Sequence, residues 1–145
     1  MKKLIFLFIL LFSVNSFSQY AIVSAVDLKE GSESEYLKTE KFWGPLHKRA
    51  IEDGVQTQQA VWKVIQTNDE RENPADYFII TSFSSKEQLE NYSSADFGAY
   101  AQEVYRGKMS RRAITRMFEN SPNSSNVRRN YHLEAVSRTI LAGGG

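Results

Sequence analysis

Asp76-Tyr77-Phe78-Ile79-Ile80-Thr81-Ser82-Phe83-Ser84-Ser85-Lys86-Glu87 is the stretch on which the reading of this chain turns. Its first part is rich in aromatic and β-branched residues and is apolar on both faces of an extended chain. It predicts a strand over 76–83 that is buried on both sides. Its second part is a helix start: with Ser84 as the cap, Glu87 stands at the third helical position and completes a capping box. A strand covered on two faces, with a helix springing from its end, calls for layers of helix and sheet.

The rest of the chain sorts outward from there. Before it, 57–66 alternates, with Gln58, Ala60, Trp62 and Val64 on one face, and reads as a strand. A polar loop over 67–75, containing Asn73-Pro74, joins the two. Further back, Ser32 opens a helix with Glu33 and Glu35 in its first turn, and the helix runs to Asp53 with Gly54 as the stop. Pro45 inside it has no N–H and crowds the carbonyl of Lys41, so a kink or a two-piece helix is expected. Tyr20 to Asp27 is a first strand. After residue 83 come a short helix to about Tyr92, helical stretches over 94–105 and 108–118 parted at Gly107, a loop over 120–126 and a last strand over 130–137. The order is βαββαβ with an extra helix before the last strand, the ferredoxin-like α+β pattern. A single domain is expected over residues 19–137, followed by a flexible tail over 138–145.

Composition limits the function. The chain has 145 residues, with 18 Lys and Arg against 17 Asp and Glu, so its charge of +1 argues against a nucleic-acid partner. With no cysteine, a disulfide scaffold, a thiolate metal site and a cysteine nucleophile are excluded. Neither a phosphate-cradling glycine loop nor a serine-nucleophile elbow is present, and no His or acid spacing fits a metal site. No cofactor and no metal are expected.

Met1-Lys2-Lys3, the apolar run Leu4 to Phe12 and the small Ser16 and Ser18 read as a signal peptide over 1–18, cleaved before Gln19. The run is too short for a membrane span, which takes about 20 residues. The expected product is exported, periplasmic or secreted, and free of the membrane after cleavage. The absence of Cys leaves no lipid attachment site.

The element order, the long first helix with Phe42-Trp43-Gly44-Pro45-Leu46-His47 and the two-sided strands resemble the dimeric α/β-barrel superfamily. Its members include antibiotic-biosynthesis monooxygenases, stress-responsive barrel proteins and exported bacterial proteins of no known role. The resemblance implies two sheets paired back to back in a homodimer, and fixes no activity. Strand 76–83 points the same way, because a single helical layer covers only one of its faces.

Projected at about 100° per residue, Tyr36, Glu40, Trp43, His47 and Ala50 share one face of the first helix. An acid and an imidazole among aromatics suggest a pocket beneath the helix for a small apolar or aromatic ligand, with His47 as base or hydrogen-bond partner. Trp62 is added as an aromatic wall, and Arg129, taken as a strand residue, as a bidentate anchor for a carboxylate. The candidate ligand-binding set is therefore Tyr36, Glu40, Trp43, His47, Trp62 and Arg129. His47 can equally be structural, holding a buried polar partner. His132 and Glu134, beside Asn130, are either a second acid–base pair at a pocket or cross-strand pairing at a dimer seam. Arg106, Lys108, Arg111, Arg112 and Arg116 read as a solvated face paired to Glu103 and Glu119. Two function classes follow: a small-molecule-binding protein, with a cofactor-independent monooxygenase-like enzyme as its catalytic form, or a purely structural dimerisation module. A pocket reaching His47 favours the first, and a filled core the second.

Overall fold

A computed structural model of the chain describes residues 19–72, 74–121 and 125–137. The segments read as signal peptide and tail lie outside the described residues. Four strands, β1 (Tyr20–Leu28), β2 (Gln58–Lys63), β3 (Tyr77–Phe83) and β4 (Ser125–Glu134), form one antiparallel sheet in the order β2-β3-β1-β4. The helices are α1 (Glu33–Glu52), α2 (Lys86–Asn91), α3 (Phe97–Val104) and α4 (Arg111–Asn120), with a 3-10 turn at Tyr92–Ser94. This is the expected ferredoxin-like α+β order with its extra helix.

α1 runs through Pro45 as one helix and is not split in two. Lys41, Gly44 and Pro45 are all exposed, so water can serve the carbonyl that loses its partner. One turn away, the Tyr105 hydroxyl donates to the Phe42 carbonyl at 2.8 Å and ties the helix to the neighbouring layer. The C-terminus is a Schellman motif: Gly54, at φ 72°, donates to Ile51, and Val55 donates to Ala50. At α2 the cap is Ser85 rather than Ser84. Its hydroxyl accepts from the Gln88 N–H at 3.1 Å, while the Gln88 side chain accepts from the Ser84 N–H at 2.8 Å. The box uses Gln88 and leaves Glu87 exposed.

Residues directly opposite in the register share a face of the sheet. On the helix-covered face the rows are Gln59-Thr81-Ile22-His132, Val61-Ile79-Ser24-Asn130 and Lys63-Tyr77-Val26-Arg128. On the other face they are Gln58-Ser82-Ala21-Leu133, Ala60-Ile80-Val23-Tyr131 and Trp62-Phe78-Ala25-Arg129. No described helix belongs to this second face, where Trp62 is 60% exposed, Leu133 48% and Tyr131 44%.

The covered side holds two separate apolar clusters. Val26, Tyr36, Tyr77 and Ile79 join the start of α1 to the sheet. Phe42, Leu46, Ala101 and Ile114 join α1 to α3 and α4, with Trp43, Phe97 and Phe118 packed around them. The buried line of α1 is Tyr36, Thr39, Phe42, Leu46 and Ala50. Glu40, Trp43 and His47 are half-buried. Among the described residues, no helix is long and apolar enough to cross a membrane.

Candidate functional site

Between the two clusters α1 stands off the sheet. At mid-sheet the facing residues are Ser24 and Thr81, which are too short to fill the gap, and α1 offers Glu40, Trp43 and His47 rather than branched aliphatics. A cleft of about 460 Å³ remains, within the range of small-molecule sites. Its helix wall is Tyr36, Glu40, Trp43 and His47, its floor includes Ile22, Ser24, Ile79 and Thr81, and β4 adds Arg128, Asn130 and His132. Tyr92 and Phe97 close one end.

The aromatic part is rigid. Trp43 packs edge-to-face on Phe97 and Phe118, with ring centroids 5.6 and 5.1 Å apart, and its indole N–H donates to the Ser121 hydroxyl at 3.0 Å. Phe97 in turn meets the rings of His47 at 5.3 Å and Tyr92 at 5.9 Å. These contacts hold the walls in place before any ligand arrives.

The polar part is biased toward neutral groups. Nδ1 of His47 is 3.3 Å from Oε1 of Gln56, which is 1% exposed. Burial pushes the His47 pKa below its ordinary value, with the Gln56 contact working against that and the Arg128 charge adding to it. Burial pushes Glu40 up, opposed by the adjacent Tyr36 hydroxyl and by Arg128. The Tyr36 hydroxyl is itself buried, next to Glu40 but without a hydrogen bond of normal geometry, and its pKa is raised by burial first. Ser24 Oγ donates to Oδ1 of Asn130 at 2.6 Å. No group of three metal-ligating side chains occurs among the described residues.

No protein-family model matches the chain, and no curated protein matches it in sequence. Solved structures do. One is a dimeric ferredoxin-like protein from an uncultured marine organism, 18% identical, with a TM-score of 0.55 over 88% of this chain and 96% of its own. Another is a protein of unknown function from Nitrosomonas europaea, 13% identical, with a TM-score of 0.54 over 89% and 100%. A third is a dimeric ferredoxin-like protein of unknown function from Thermobifida fusca, 8% identical, with a TM-score of 0.51 over 83% and 96%. The chain has the ferredoxin-like fold. At these identities the likeness reaches the fold and no further.

Of the six residues proposed from sequence, the structure brings Tyr36, Glu40, Trp43 and His47 together at the cleft. Trp62 and Arg129 are not among its lining residues. Trp62 pairs with Phe78, and Arg129 with Ala25, on the opposite face of the sheet. Arg129 lies there within electrostatic reach of the buried Asp27. The reason is the two-residue period of a strand: neighbours point to opposite sides, and Arg128 is the one that enters the cleft. Sequence reasoning missed it because the last strand was started at Asn130, five residues late, although Arg128 continues the alternation of Asn130 and His132. Tyr92 and Phe97 were also missed, since they belong to a different helical stretch and nothing local ties them to α1. Glu103 pairs with Arg49 at 3.3 Å rather than with the basic stretch of 106–116.

Proposed function

We propose that the protein is an exported, homodimeric, small-molecule-binding protein whose ligand sits in the cleft beneath α1. The observation that carries the ligand reading is the cleft itself: about 460 Å³, reaching His47, walled by packed aromatics and lined with polar side chains from α1 and all four strands. A purely dimerising module would fill that space. The ligand is small and at least partly aromatic, matched to Trp43, Tyr92 and Phe97. Support for the dimer comes from the apolar open face of the sheet and from fold neighbours described as dimeric. A specific interface there would bury about 1,600 Å². Support for export comes from Lys2-Lys3, the apolar run to Phe12 and the small Ser16 and Ser18.

An NMR titration with a panel of small aromatic compounds tests the site. The indole signal of Trp43 is expected to move while that of Trp62 stays, and a panel that never moves Trp43 would overturn the reading. Intact-mass analysis of exported protein tests the rest: a mature chain beginning at Gln19 is expected, and retention of Met1 to Ser18 refutes cleavage.

A further inference from the structure

Resting on the cleft reading above, we infer that the cleft selects planar aromatic carboxylates, with the Arg128 guanidinium as the anchor for the carboxylate. Arg128 stands in the row Lys63-Tyr77-Val26-Arg128 and lines the cleft. Its charge acts on Tyr36, Glu40, His47 and Tyr92, groups from α1 and from the 3-10 turn that face it across the opening. Yet it forms no salt bridge among the described residues, whose ion pairs involve Arg49, Lys63, Arg71 and Lys86.

Among the described residues Glu40 is the one acidic side chain lining the cleft, and burial works against its ionisation. His47 is held toward its neutral form. Among the described residues no ion pair joins Arg128 to Glu40, so the exposed guanidinium stands at the wall of the cleft with no carboxylate on it. Bound Ser24 leaves the amide nitrogen of Asn130 as a remaining donor on the same strand as Arg128, two residues on. A guanidinium fork matches the two oxygens of a carboxylate in one plane. The edge-to-face chain of Trp43, Phe97 and Tyr92 suits a flat ring attached to it.

The test is calorimetric titration of the protein with 2-naphthoate and with its uncharged match, 2-naphthamide. The acid is expected to bind about tenfold or more tightly than the amide, the scale of a charge-assisted hydrogen bond. Arg128→Gln should bring the acid down to the level of the amide and leave the amide unchanged. Arg128→Lys should keep part of the preference, as a point charge without the fork. Arg129→Gln, on the opposite face, should alter neither. Equal binding of acid and amide by the wild type, or a preference that survives Arg128→Gln, overturns the carboxylate inference while the cleft reading stands. Binding of neither compound removes the cleft reading and this inference with it.

Discussion

Arg128 and Arg129 are consecutive residues of one strand, and they belong to different parts of the molecule. The first joins Asn130 and His132 in a cleft under a helix, and the second joins Trp62, Phe78 and Ala25 on a face that no described helix covers. The two faces solve different problems. The covered face is packed against the start of α1 by one apolar cluster, a second joins α1 to α3 and α4, and polar and short side chains meet in the cleft. The open face is apolar and nearly flat in composition, with small alanines in the middle and Trp62, Tyr131 and Leu133 around them. Stability on the covered face comes from this chain alone. On the open face Trp62, Tyr131 and Leu133 stay exposed, which supports the proposed contact surface there.

That difference is sharpest in β3, whose alternate residues serve the two faces. Phe83 is fully buried on the covered side, so Phe83→Ala should cost about 3–5 kcal/mol in chemical denaturation, independent of protein concentration. Ile80 is half-buried on the open side. The cost of Ile80→Ala should grow with protein concentration if the proposed dimer completes its burial. Equal, concentration-independent losses at both positions would erase the distinction.

Trp62→Glu puts a charge on the open face, at its β2 edge. Light scattering at micromolar concentration should show a dimer for the wild type and a monomer for the variant, with ligand binding in the cleft retained. A wild-type monomer would refute the interface outright.

His47→Ala tests the cleft from the helix side. Loss of the imidazole leaves the buried Gln56 side chain without that partner. Thermal and chemical unfolding should show a loss of about 1–3 kcal/mol, and a ligand screen on the same variant separates this from any role in binding. An unchanged stability would mean that the Gln56 contact contributes nothing.

The smallest expected effect is in the pH dependence. The folded state disfavours protonated His47, so below its ordinary value of 6.5 the unfolded chain binds the proton first. Stability from this residue is present above about pH 6.5 and is lost as pH falls toward the depressed folded value. Glu40 acts in the opposite sense: its folded pKa lies above the ordinary 4.5, so its contribution is present below that value and lost as pH rises through the raised one. Melting curves across pH 4 to 8 should therefore lose their acid-side slope in His47→Gln and gain stability at neutral pH in Glu40→Gln. The Trp62→Glu variant should keep the wild-type profile, because neither group belongs to the open face.

The sequence by itself determined the element order, the amphipathic first helix with its Gly54 stop, the two-sided β3 and four of the six proposed cleft residues. All of these rest on local periodicity: 3.6 residues per turn put Tyr36, Glu40, Trp43 and His47 on neighbouring lines of one helix, and Pro45, on the solvent side, did not disturb their phase. Only the tertiary structure decided which arginine enters the cleft and which aromatics wall it. A strand reverses its side with every residue, so one arginine or the other enters the cleft according to register alone, and that register is set by pairing with β1, 106 residues away in the case of Ser24 and Asn130. Phe97 reaches Trp43 and His47 through the packing of α3 on α1, and Tyr92 meets Phe97 from the 3-10 turn, contacts with no local signature. The cleft is the space that remains where α1, joined to the sheet near its start through Tyr36 and to α3 and α4 through Phe42 and Leu46, meets the sheet with side chains too short or too polar to close it.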